Sequence, residues 1–157
     1  MTKPPKNLTL SVMAGIYILA QVIIVPALPE LQKVFKSDYR TIQLNIAVFL
    51  IGAAIVNLIA GPLSDRFGRR PIIILGSLIY SIGAFCCVYM SDIGLLVLSR
   101  MIQGIGAAAC LSVGRTIISD SYERSEAAEK MSTVTAVMVI IPILCFIFGG
   151  IIADLIG

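Results

Sequence analysis

Two sets of charged residues could do chemistry in this chain of 157 residues, and both stand out because so little around them is charged. The first is the run Gly61-Pro62-Leu63-Ser64-Asp65-Arg66-Phe67-Gly68-Arg69-Arg70-Pro71, which sets one carboxylate among three guanidinium groups. Near a low-dielectric boundary such pairs are screened less than in bulk water. They can hold neighbouring helix ends together, and a latch that breaks is a switch. Arginines that follow a membrane span also serve simply to retain a loop in the cytoplasm. The second is Arg100, about six residues and ~9 Å along the axis of an otherwise uncharged run. An arginine inside a membrane is costly enough that function is its default explanation, although a side chain of that length can also snorkel to the interface.

Other chemistry finds no support. There is no His, and the four cysteines, Cys86, Cys87, Cys110 and Cys145, lie inside apolar runs at spacings unlike a metal-ligand set. They read as small apolar residues of a packed interior. No nucleophile–base arrangement and no extramembrane domain to carry one are visible, so neither an enzyme nor a bound cofactor is expected. A net charge of +3, spread by loop, gives nucleic acid no basic surface.

The elements that must position these charges are membrane spans. Apolar residues make up 58% of the chain and charged residues 13%, about half the charged share of an ordinary soluble domain. About twenty residues from Thr41 to Ala60 carry no charge, nor do about twenty from Ile72 to Ser91. A bilayer core of ~30 Å asks that length of a helix. The pattern predicts an all-α integral membrane protein with five transmembrane helices over about 8–28, 41–61, 72–91, 94–118 and 132–153. The Asp65 run is then a surface turn between the second and third spans. Residues 30–40 read as a mixed-charge loop, Ser91-Asp92 as a short connection, and residues 120–130 as a surface helix or loop. The first apolar run is too long for a signal peptide and lacks a small-x-small cleavage site, so it reads as an uncleaved span. Lys3, Lys6, Arg66, Arg69, Arg70, Arg124 and Lys130 fall on one side, and Lys33, Lys36 and Arg40 on the other. The excess places the amino terminus and the Asp65 run in the cytoplasm, and an odd number of spans leaves Gly157 outside.

The order Gly61-x-Leu63-x-Asp65-Arg66-x-Gly68-Arg69-Arg70, between the second and third spans, closely resembles the signature loop of the major facilitator superfamily. That resemblance implies a gate latch that stabilises the outward-facing carrier, made by Asp65, Arg66 and Arg69 with Asp120 as an acidic partner. The run Leu96-x-x-x-Arg100-x-x-Gln103-Gly104-x-Gly106-Ala107-Ala108 resembles the family's fourth-helix motif, whose arginine is linked to proton coupling. Independently of that link, Gly104, Gly106 and Ala108 supply the small surface on which helices pack in lipid. The ending Gln21-x-x-x-x-Pro26-Ala27-Leu28-Pro29 looks like the bicyclomycin-resistance type of the drug:proton antiporter branch. Two departures weaken the antiporter pattern. Val22 stands where many of those carriers have an acid, and no Asp or Glu lies deep in any span. The fifth helix keeps only the pair Gly149-Gly150 of a Gly-Pro-x-x-Gly-Gly ending, with Pro142 further back.

The resemblance covers essentially the whole chain, but the family's fold has twelve helices in two halves. The expectation is an incomplete amino-terminal portion, helices one to five, of a carrier for proton-coupled efflux of drugs or small metabolites. Its partners would be the lipid bilayer, the small-molecule substrate, protons and a possible separate chain carrying helices six to twelve. Its location would be a bacterial-type inner membrane. The competing expectations are a non-transporting interaction or scaffold remnant and a truncated importer of another solute. Gln21, Asn45 and Gln103 are the polar side chains proposed for a substrate cavity, with Asn57 and Ser112 equally suited to helix contacts.

Overall fold

A computed structural model describes the backbone of residues 7–156 and the side-chain surroundings of residues 9–148. Lys3 and Lys6 of the charge count lie outside these residues, as do the surroundings of Gly149 and Gly150. The described elements are α1 (Asn7–Val22), α2 (Leu28–Phe35), α3 (Tyr39–Phe67), α4 (Arg69–Tyr89), α5 (Ile93–Ser121) and α6 (Arg124–Ile156). No strand occurs among them. In a bilayer this is the expected solution, because a helix satisfies every backbone N–H and C=O within its own segment. Four helices, α3 to α6, are long and apolar enough to cross a membrane, and α1 is a shorter apolar one. The chain is a five-helix, all-α membrane bundle with α2 as an accessory helix of about two turns.

The α5 helix is the centre. Half of its apolar window is buried, far more than in any other helix. The α3 and α4 helices each pack along α5 and hardly touch one another, while α1 packs on α5 and α6. The reason is written in small residues. On α3 the buried stripe Ile42, Asn45, Phe49, Gly52, Ala53, Val56, Ala60 and Ser64 follows the three-and-four spacing of one helix face. A Cβ on Gly52 would stand 2.6 Å from the carbonyl oxygen of Met101, and one on Gly83 of α4 would stand 2.6 Å from the amide of Gln103. Backbones meet here with no side chain between them, the way lipid-embedded helices gain dispersion contact. The opposite faces carry Leu58, Phe85 and Val88, which are strongly exposed and suited to lipid.

Three local features differ from the sequence expectation, each for a physical reason. The first apolar run does not stay helical to Leu28. Pro26 has no N–H to give Val22, so the amide of Val25 bonds Val22 instead at 2.9 Å, and the run tightens into i→i−3 turns through Leu28. Residues 30–35 of the expected 30–40 loop are helical, as part of Leu28–Phe35, which is opened by Pro29 in its first turn and closed at Lys36 with φ 47°. The Asp65 run is no open turn either. The α3 helix continues through Pro62 to Phe67, because Val56, Ala60 and Ser64 carry its buried face past the proline, and only Gly68 leaves the helix.

Gly68 has φ 89° and ψ 154°, a region open essentially to glycine alone. Gly61 is helical, and a Cβ there would meet nothing within 4 Å. Gly68→Ala is therefore expected to cost about 1–3 kcal/mol, seen as an earlier midpoint when helix content is followed in a denaturing-detergent titration. Gly61→Ala should stay within about 0.5 kcal/mol of the parent.

Candidate functional site

Gly68 turns the chain in a single residue, so Arg69 is the first residue of α4 and the tip of α3 sits beside it. Asp120 occupies the last turn of α5, where the partial negative charge of the helix end disfavours a carboxylate. Arg69 offsets that: its Nη2 donates to Oδ2 of Asp120, a charged bond joining α4 to α5. Both side chains are partly exposed, at 33% and 48%, so the pair is accessible enough to break. Of the other charges in the run, Asp65 is exposed with no ion pair among the described residues, and Arg66 lies over the ring of its neighbour Phe67 at 5.4 Å. Arg70 and Leu63 are exposed. The structure brings together two members of the expected latch, Arg69 and Asp120.

Arg100 is placed otherwise than snorkelling would have it. It is 3% exposed and enclosed between α3 and α4 on the face of α5 that carries Gln103 and Gly104. Its Nη1 donates to Oε1 of Gln103, and its guanidinium carbon lies 4.8 Å from the centre of the Phe49 ring, a cation–π contact. Asn45 stands one turn from Phe49 on the same buried face of α3 and donates from Nδ2 to the carbonyl of Ile42 at 2.9 Å. Phe49 in turn tilts against Tyr17 of α1, centroids 5.9 Å apart. Arg100, Gln103 and Phe49 thus form one buried cluster, with Asn45 one turn along α3 from Phe49. Gln21 is half-buried on α1, Asn57 is exposed on α3, and Ser112 is half-buried.

Gly104 and Gly106 seat α5 on opposite sides. A Cβ on Gly104 would overlap the carbonyl of Phe49, and one on Gly106 would overlap the backbone of Tyr80. Ala108 is wholly buried with Ala53, Val56 and Ala60. A further opening, of about 320 Å³, lies between α1 and α6 and is lined by Leu19, Ile23, Pro26, Ile141, Leu144, Cys145 and Phe148. It is apolar and contains none of the polar residues proposed from sequence.

Two contributors escaped the sequence reading. Asp92 caps α5, its Oδ1 accepting from the amides of Gly94 and Leu95 at 2.8 and 3.1 Å. The Asp-x-Gly start of an apolar run is the signal that could have found it. Ser64 is buried and bonds the carbonyl of Gly61 at 2.8 Å, which a reading of the run as a turn could not foresee.

The chain is similar in sequence to known proteins. The chain is 29% identical over 136 residues to an uncharacterized transporter of Rickettsia bellii, a match covering 87% of this chain and 34% of that protein. It is 30% identical over 125 residues to multidrug resistance protein MdtL of Citrobacter koseri, covering 80% of this chain and 32% of that one. The MdtL protein of Shewanella oneidensis matches at the same identity and coverage. The chain therefore spans about a third of the length of the curated relatives it matches. The family profile extends from residue 10 to residue 157, taking in the Arg69–Asp120 end, the Arg100 cluster and all of α2 to α6, and the chain belongs to the Major Facilitator Superfamily.

Proposed function

We propose that this chain is the amino-terminal portion of a proton-coupled carrier that exports drugs or small metabolites across a bacterial-type inner membrane. The amino terminus and the Arg69–Asp120 pair would face the cytoplasm, and the far end of α6 the outside. The crossing portions would be residues 8–28, 41–61, 72–91, 94–118 and 132–153. Helices six to twelve, from the rest of the protein or from a separate chain, would complete the cavity.

The observation that carries this reading is the ion pair between α4 and α5, with a one-residue Gly68 hinge beside it. It is the arrangement a latch requires: two helix ends held by a partly exposed charge pair that water can replace. Gly61, Leu63, Asp65, Arg66, Gly68, Arg69, Arg70 and Asp120 make up the latch in this proposal. The multidrug resistance names of the relatives support export, and the apolar opening between α1 and α6 suits apolar solutes.

The test is accumulation of a panel of cationic and neutral drugs in energised cells expressing the chain completed with the helices its relatives carry. Lower accumulation than in cells with an empty vector, reversed by a protonophore, is expected. Unchanged accumulation across the panel overturns export. In the same carrier Arg100→Ala should flatten the pH dependence of efflux, and an unaltered pH profile would remove Arg100 from proton coupling.

A further inference from the structure

The buried cluster around Arg100 is unsatisfied in a specific way. Nη1 is taken by Gln103, but Nε and Nη2 are buried without a partner among the described residues, as is Oδ1 of Asn45. Nε and Nη2 form one side edge of the guanidinium, and their two N–H bonds run nearly parallel. That edge grips a carboxylate through two bonds at once, a geometry which lysine and neutral donors cannot reproduce. Leaving a buried charge unpaired is strongly destabilising, and no carboxylate of this sequence lies deep in a span. Phe49 covers a face of the guanidinium, and Gln103 takes only one N–H. Neither supplies the missing negative charge.

We infer that the side edge of Arg100 is a subsite for a carboxylate that comes from outside the five helices and takes the Nε and Nη2 hydrogens. The edge lies where α3 and α4 flank α5. Because those two helices hardly contact each other, the seam between them is the route by which the edge is reached. The ligand class follows from charge: a monoanionic or zwitterionic solute, held at its acid end, with an apolar body against Phe49. This rests on the transport reading and narrows it, because a carrier with such a subsite favours carboxylate-bearing solutes over purely cationic ones. The same chemistry could also be met by an acidic side chain from another part of the completed carrier.

The experiment is calorimetric titration of sodium formate, acetate and benzoate into the chain in lipid nanodiscs, with chloride as the competing anion at constant ionic strength. Saturable carboxylate binding that chloride does not compete away is expected. Arg100→Lys keeps the charge but loses the fork, and should weaken binding about tenfold or more. Gln103→Glu supplies a carboxylate against the guanidinium and should abolish binding of the free acids while raising the unfolding midpoint, with helix content by circular dichroism confirming the fold of each variant. If benzoate binds as well as or better than acetate, the ligand is a solute. If only formate and acetate bind, the site receives an acidic side chain. No saturable binding to the parent, equal binding to Arg100→Lys, or unchanged binding to Gln103→Glu overturns the inference. None of those results bears on whether the completed carrier lowers drug accumulation, so the transport reading fails or survives on its own assay.

Discussion

Gly106→Ala is expected to unseat α5 from α4 and, with Gly104→Ala, to cost the most stability of any methyl added at a described glycine. The added Cβ would meet the amide nitrogen and the Cα of Tyr80 and the carbonyl oxygen of Gly76. All of these are backbone atoms, so no rotamer change can make room. Overpacking a core ordinarily costs about 1–3 kcal/mol because side chains give way. With backbone on the far side the helices themselves must part, and a loss at or above the top of that range, about 3 kcal/mol, is expected. Gly104→Ala should act alike on the α3 side, through the carbonyl of Phe49. Gly114 provides the control: a Cβ there would lie 3.8 Å from the Met13 sulfur, an ordinary contact, so Gly114→Ala should be near neutral. Unfolding of each variant in mixed micelles, followed by helix circular dichroism, separates these outcomes. A Gly106→Ala midpoint equal to that of Gly114→Ala would contradict the close seating of α5.

The second large effect should fall on transport rather than on stability. Reversing one charge of the proposed latch, as Arg69→Asp or Asp120→Arg, turns attraction into repulsion between the ends of α4 and α5. At ~4 Å and an effective dielectric of about 20, two unit charges interact by about 4 kcal/mol. Both side chains here are partly exposed, so the stability change should be no more than about 1 kcal/mol. Even 1 kcal/mol in the balance between two carrier states is about a fivefold change in their ratio. Efflux by the completed carrier with either single reversal is therefore expected to fall about fivefold while the folded protein persists at near-parent amounts in the membrane. An equal fall in abundance and efflux would make the pair a structural tie only.

The bundle was legible from sequence because lipid imposes a simple rule: spans must be long, apolar and helical. The small face of α5 was legible for a related reason, since Gly104, Gly106 and Ala108 leave little else to do there but pack. What escaped depended on tertiary context. Gly61 and Gly68 look alike in the sequence, yet only Gly68 takes a positive φ. Pro62 reads as a helix end, but the buried stripe through Ala60 and Ser64 holds α3 together across it. Arg100 left two readings open, because depth along a span does not say which way a side chain faces. Its enclosure by α3 and α4 settles that direction, since the helix faces were fixed by glycine contacts made elsewhere on α5. Asp65, Arg66 and Arg69 are equivalent in the signature, and only the single-residue turn at Gly68 brings Arg69 to Asp120.

We propose that the Arg69–Asp120 pair is a working latch in an export cycle. The most direct measurement is drug accumulation in energised cells carrying the completed carrier with both charges exchanged, Arg69→Asp together with Asp120→Arg. The exchange is expected to restore most of the efflux that each single reversal loses, because the attraction is regained with the two charges swapped. Efflux at parent level in both single reversals, or no recovery in the exchanged carrier at equal abundance, would contradict it.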